Sequence, residues 1–367
     1  MCFSSFRGRA NYTNLSRYSD LNERTYRRHF EQGIDFIEFN QIGMNTVLAK
    51  AGIKIAVMDC SFIRKSGDKT YGLGKFFDSK QGKAEKGLEI STLGVVDVDF
   101  NTAYHLSTRQ TPPESQEGES RIHTYLRHFQ EDCRALLENI RYLVVDAYYT
   151  KQTFVHGILA AGFHQIGKLR GDANLRYLYA GEQQAKGRPR VYDGKMVIGD
   201  LSRLEFVSEF DDIRLYTTVV NSVTLKLNIR IVYVLKTTAH GRGFALLFST
   251  DTKLNATEIY RYYKARFQIE FLFRDAKQFT GLEDCQARSA QALHSHFNAS
   301  LTALNLIKWH DRQIAGSRKP ISVSNWKARF FNALFIERIF LNLPAELSLI
   351  KSSPAYDNLC HFGVNWS

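Results

Sequence analysis

Two short apolar runs, each closed by an aspartate, constrain the fold of this chain more than any other feature. Ile53 to Asp59 reads IKIAVMD, and Tyr142 to Asp146 reads YLVVD. Neither alternates apolar with polar residues, as a half-solvated strand would. Strands of this kind are covered on both faces, so each run belongs at the centre of a sheet flanked by helices. Leu88 to Asp97 and Ala103 to Arg109 read as two further strands joined near Asn101. Arg64 to Lys86 is rich in Gly and Lys and reads as a long basic loop or hairpin. Pro112 to Ser120 has the composition of a linker. Arg121 to Asn139 places Ile122, Tyr125, Leu126, Phe129, Cys133, Leu136 and Leu137 on one side of a helix. A further helix follows Asp146 to about Ala161. Strand, strand, strand, helix, strand, helix is an α/β order with an antiparallel start and a parallel core.

From about Phe163 to Phe248 the chain turns to β-branched and aromatic segments such as IRLYTTVV and LKLNIRIVYVL. These predict a separate, largely antiparallel β unit. Helices return over Thr257–Phe279, Ala290–Ala315 and Val323–Leu341. At the other end, Tyr12 to Tyr18 and a segment capped by Asp20 or Asn22 read as two short helices. The second carries Arg24, Arg27, Arg28 and His29, which suits the reading helix of a helix-turn-helix. A basic surface helix is the alternative. The expected organisation is a helical segment over 1–45, an α/β domain over 46–162 and 246–345, a β-rich insertion over 163–245, and a tail over 346–367.

The net charge is +12, from 49 Lys and Arg against 37 Asp and Glu, and it favours a polyanionic partner. No apolar run approaches the ~20 residues of a membrane span, and the start has no apolar core of a secretory signal. The scattered cysteines, Cys2, Cys60, Cys133, Cys285 and Cys360, contain no C-x-x-C pair and suit a reducing cytosol. His294 and His296 stand too close in sequence to share a helix face.

Chemistry concentrates in YRYYKARFQIEFLFRDAK, Tyr260 to Lys277. Here Tyr263, Arg266, Glu270 and Lys277 have the spacing Y-x2-R-x3-E-x6-K, and on one helix they fall within an arc of roughly 60°. Ala265, Ile269, Leu272 and Ala276 form an apolar stripe beside them. Charges at such spacing are usually a solvated face with pairs worth ~0.2–0.5 kcal/mol. Together with Asp59 and Asp146 they acquire a purpose. Two carboxylates from strand ends and a third from a covering helix can hold the paired Mg²⁺ or Mn²⁺ ions of phosphoryl transfer. Asp97 and Asp99 compete for the place of Asp59; Asp275 and Asp284 lie near Glu270, Asp275 outside the helix face of the signature.

These residues carry a resemblance to the IS4 family of DDE transposases, whose catalytic domain is RNase H-like with a β-rich insertion between the second Asp and the Glu. The signature is matched in full, and the resemblance spans roughly residues 45–345. It implies that Asp59, Asp146 and Glu270 are the metal ligands for Mg²⁺ or Mn²⁺, two ions in all. It also implies that Tyr263, Arg266 and Lys277 contact DNA near the element end. Arg170, within KLRGDANLR, and Arg188, within KGRPR, read as further phosphate contacts beside Arg27 and Arg28, with a solvated hairpin tip as the alternative for KGRPR, and Lys65, Lys69, Lys75, Lys80, Lys83 and Lys86 flank the site. The implied partners are double-stranded DNA, as terminal inverted repeats and target, and a second copy of the chain when two ends are synapsed. The implied setting is a bacterial cytosol at the nucleoid. The implied reaction is cleavage with water and joining of the 3′-hydroxyl to target DNA, with a DNA hairpin as intermediate. Nothing after Leu343 resembles the long dimerisation region of some relatives, so a compact or truncated member is expected. The alternatives are a decayed DNA-binding protein and another RNase H-like nuclease.

Overall fold

The computed structural model describes residues 6, 8–48, 52–114, 119–238, 241–315, 321–341 and 350–362. Residues 115–118 of the expected linker and residues 346–349 and 363–367 of the expected tail lie outside them.

An eleven-residue strand, β1 (Lys54–Arg64), organises the sheet. It pairs antiparallel along its whole length with β3 (Lys83–Asp97), and β3 pairs antiparallel with β4 (Thr102–Gln110). On its other side β1 meets β5 (Tyr142–Val144) in parallel only at Ala56 and Val57, and β5 meets β6 (His164–Leu169) in parallel. An antiparallel β4-β3-β1 half running into a parallel β1-β5-β6 half is the RNase H-like mixed sheet that the sequence predicted. The basic segment after β1 is a hairpin: β2 (Gly74–Asp78) pairs with the first residues of β3.

Two expectations are corrected here. Asp59 does not end its strand, because β3 continues to supply backbone partners as far as Arg64. The apolar run stops because β5 falls away after Val57 and leaves one edge of β1 open. The β-rich segment is not separate either. Its strands are β7 (Leu175–Leu178), β8 (Tyr192–Lys195), β9 (Glu205–Phe210), β10 (Ile213–Ser222), β11 (Leu227–Thr238) and β12 (Gly241–Ser249). β12 lies antiparallel on β6, so one twelve-stranded sheet runs β2-β3-β1-β5-β6-β12-β11-β10-β7-β8, with β4 on β3 and β9 on β10. β6 thus serves as the last parallel strand of the core and the attachment of the antiparallel part.

Ten helices are described: α1 (Tyr12–Arg17), α2 (Glu23–Gln32), α3 (Phe36–Val47), α4 (Arg121–Asp132), α5 (Gln152–Ala160), α6 (Ala256–Ala265), α7 (Gln268–Phe279), α8 (Ala290–Ala315), α9 (Val323–Phe340) and α10 (Pro354–Cys360). Successive β1 side chains point to opposite faces. Ile55, Val57 and Ile63 bury against Ile259, Ile269, Leu272 and Ala276 of α6 and α7. Ala56 and Met58 bury against Ile122, Phe129, Phe154 and Trp309. α4 stops at Asp132, short of Asn139, in a 3₁₀ turn over Cys133–Ala135. α3 can approach α8 because residue 43 is glycine: a Cβ there would lie 2.1 Å from the Trp309 ring.

β4 pairs only with β3 among the described strands, and α8 covers its free edge. Asn305 accepts from His105 N–H at 2.9 Å and donates to His105 O at 2.7 Å. One helical stretch away, Asn298 does the same for Thr108 at 3.0 and 2.9 Å. Lys308 Nζ donates to Ala103 O at 2.7 Å. Side-chain amides thereby stand in for a neighbouring strand. The N-terminal helices dock on the same α8, Phe30 being buried and its carbonyl accepting from Ser295 Oγ at 2.8 Å. No described helix is long and apolar enough to cross a membrane.

Candidate active site

The open edge of β1 forms one wall of a cleft of about 630 Å³. Asp59 faces the side on which α7 packs, the side of Val57 and Ile63. Its Oδ1 accepts from the Cys60 N–H at 2.8 Å. Asp146 follows β5 and caps the 3₁₀ turn Ala147–Tyr149, accepting from Tyr148 N–H at 2.9 Å. Glu270 sits in the first turn of α7, above the buried Ile269, Leu272, Phe273 and Ala276. All three carboxylates line the cleft together with Lys277.

The Tyr260–Lys277 stretch is not one continuous α-helix. It tightens at Arg266 and Phe267, where Phe267 N–H bonds Lys264 O and Glu270 N–H bonds Phe267 O in 3₁₀ fashion. This tightening separates α6 from α7 and turns Arg266 inward. Arg266 is only 11% exposed and stands between two of the acids, 3.5 Å from Asp59 and 3.0 Å from Glu270. The Tyr263 ring backs the guanidinium, 5.6 Å from it, and Arg266 Nε is buried without a hydrogen-bond partner. Lys277 is tied to β1 by a 2.7 Å bond to Phe62 O and to Glu283 at 3.1 Å.

Electrostatics follows from this packing. Burial pushes the Asp59 carboxyl up to about 7; Arg266 opposes the shift, while Asp146 and Glu270 reinforce it. Burial also lowers the acidity of the neighbouring Tyr149 and Tyr125 hydroxyls. Hard oxygen donors, a half-buried carboxylate with a raised pKa and an open cleft fit a divalent cation. Among the described residues no three His, Cys, Asp or Glu side chains already stand close enough to hold one ion. The guanidinium of Arg266 occupies the space between two of the carboxylates.

The rival acids are engaged elsewhere. Asp97 pairs across the sheet with Lys54, five positions from Asp59, or roughly 17 Å along the strand. It is bound by Arg312 at 3.1 Å. Asp99 accepts from Ile53 N–H and Arg261, Asp275 pairs with Arg274, and Asp284 accepts from Ala10 N–H. Of the expected DNA contacts, only Arg266 touches the acids, and Lys277 lines the cleft with them. Tyr263 lies behind Arg266. Arg170 pairs with Asp172, and Arg188 is exposed between β7 and β8. Arg27 pairs with Glu23, and Arg28 is exposed on α2. Sequence reasoning missed Glu89, Arg121 and Tyr148, which also line the cleft. Glu89 is buried and accepts from Tyr125 Oη at 2.6 Å. Its only signal was a charge inside the apolar run of β3.

The family model described as the transposase DDE domain matches residues 51–306. The chain belongs to the DDE transposase family. The match begins just before β1 and ends within α8, so it takes in every element that carries Asp59, Asp146 and Glu270. DDE transposases are enzymes that act on DNA, and their domains generally use divalent metal ions. No curated protein matches this DDE transposase chain.

Proposed function

We propose that this chain is a cut-and-paste DNA transposase of the IS4 group, with Asp59, Asp146 and Glu270 as its metal-binding acids. The observation that carries the reading is the convergence of these acids on one cleft with Arg266 between two of them. Two divalent ions held by the carboxylates would activate the attacking oxygen and stabilise the leaving oxygen. In the first step a water oxygen bonds to phosphorus at the element end and the P–O3′ bond breaks, leaving a 3′-hydroxyl on the element. In the second step that hydroxyl attacks a target phosphodiester, one P–O bond replacing another, so no energy-rich cofactor is consumed. Arg266, whose terminal guanidinium nitrogens face the two acids, is suited to take a phosphate oxygen as the acids turn to metal. Lys277 places a fixed positive charge at the rim. Terminal inverted repeats and target DNA are the proposed partners, with a second copy of the chain at synapsis.

The test is strand cleavage of a labelled element-end duplex with Mg²⁺ or Mn²⁺ by wild type, Asp59→Asn, Asp146→Asn and Glu270→Ala. Each variant is expected to lose more than the roughly 10–100-fold that outlying partners of a metal site contribute, while retaining duplex binding. Cleavage by Glu270→Ala at the wild-type rate would remove the assignment. A wild type that binds DNA and never nicks it would favour the decayed, binding-only reading.

A further inference from the structure

A second pocket, about 1080 Å³ in volume, lies between the N-terminal helices, the segment after β1 and the segment 283–289 that follows α7. Arg9, Arg27, Arg64, Lys65 and Arg288 line it. Its acids are already engaged: Glu31 accepts from Ser289, Asp284 from Ala10 N–H, and Glu283 pairs with Lys277. Arg9, Arg64 and Arg288 have no acidic side chain within ion-pair distance among the described residues. Lys65, which donates to the Cys285 carbonyl, has its ammonium lowered by burial; Cys285 opposes the shift and the neighbouring Arg288 adds to it. A cluster of unmatched cations is a site for an anion.

The pocket is not isolated from the acids. A smaller cavity of about 170 Å³ joins the two, sharing Arg64 and Glu283 with the basic pocket and Phe62, Asp78, Lys80 and Lys277 with the acid cleft. A drug-sized ligand fills ~300–1,000 Å³ of mostly apolar space. This path carries charged side chains in all three of its cavities, as a chain of phosphates requires.

Building on the reading above, we propose that this path from the acid cleft to Arg9, Arg64 and Arg288 is the track of the DNA backbone that continues away from the scissile phosphate. Arg64 stands at the bend, on the last residue of the strand that carries Asp59. The same strand therefore sets the cleavage point and the direction in which the DNA leaves. Lys277 and Lys80 bridge the catalytic cleft and the bend, and Arg288 and Arg9 hold the far end.

The experiment measures binding of a fluorescent duplex against KCl concentration for wild type and the double variant Arg64→Gln/Arg288→Gln. The control is Arg141→Gln/Lys253→Gln, two exposed cations near the N-terminal end of the parallel strands, opposite to the acids. Each lost phosphate contact reduces the slope of log K on log [salt] by about 0.9 for a duplex and about 0.7 for a single strand. The groove variant is expected to lose about 1.8 from the slope of the duplex and the control to lose none. Arg64→Lys/Arg288→Lys, which keeps the charges, is expected to restore it, and thermal melts verify that all variants fold. An unchanged slope in the groove variant, or an equal loss in the control, overturns the track. If either occurs while wild type still nicks DNA, the transposase reading stands and only the track falls. A wild type with no salt-dependent DNA affinity overturns both.

Discussion

Arg266 holds together a pair of carboxylates that would otherwise repel, so its replacement has a signed consequence. Arg266→Met leaves Asp59 and Glu270 facing each other across a partly buried gap. The variant is expected to be less stable by about 1–3 kcal/mol, the scale of a buried charged group losing its partner. A cation that enters the gap restores that stability; at 100 times its dissociation constant it contributes ~2.7 kcal/mol. MnCl₂ is therefore expected to raise the melting temperature of Arg266→Met more than that of wild type. No Mn²⁺-dependent shift in either protein would mean that the acids do not hold an ion. A second residue sets the acid limit of the fold. Burial lowers the His105 imidazole to about 3, with the positive charges of His128 and His294 next in effect. The unfolded chain takes up this proton near 6.5, so the stabilisation is complete above that pH and is lost as pH falls toward 3. Between pH 6.5 and 5 the loss is about 2 kcal/mol at ~1.36 kcal/mol per unit. Urea midpoints of wild type and His105→Gln across this range check it: the variant is expected to have the shallower dependence. Asp59 and Asp146 stood out as candidates because an acid at the end of an apolar run is conspicuous, and Glu270 because of its helical spacing from Tyr263, Arg266 and Lys277. Glu89 was not, since a charge within a strand reads as a solvated position until Tyr125 is seen to bond it.

The asparagines of α8 show how an element acquires a role that its own pattern conceals. Asn298 and Asn305 lie mid-helix, where such residues read as the polar face. They instead bond the open edge of β4 through its backbone at His105 and Thr108. Asn305→Leu leaves an N–H and a C=O of His105 buried and unpaired, at about 1–3 kcal/mol for each such group. The expected destabilisation is about 2–5 kcal/mol by chemical denaturation. A value within ~0.5 kcal/mol of zero, ordinary for a surface substitution, would show the amide to be dispensable. Gly43→Val is expected to cost roughly 1–3 kcal/mol because its side chain would enter the Trp309 ring. The split between α6 and α7 was likewise hidden, since both halves keep helical periodicity and Arg266 stays in the right-handed helical region. It is the docking of each half on its own part of the sheet that tightens the chain between them.

At the scale of the molecule, continuity of the sheet through β6 and β12 couples the β-rich strands to the acids. All three tryptophans lie beyond residue 300, and the two that are described, Trp309 and Trp326, lie on α8 and α9. If the sheet unfolds as one unit, tryptophan fluorescence and far-ultraviolet dichroism report coincident transitions. A dichroism change well separated from the fluorescence change would show the β-rich strands to unfold by themselves. The sequence alone singled out Asp59, Asp146 and Glu270 as candidates and determined the order of the RNase H-like elements, because apolar runs, turn residues and helical spacing are local signals. Only the tertiary structure decided that β1 continues past Asp59, that Arg266 turns in between two acids and that Asn305 covers β4. It alone decided, too, that Arg64 and Arg288 share one groove with the cleft. Each depends on partners far away in the chain, and no local pattern records which backbone edge or which charge a residue will meet when the sheet closes.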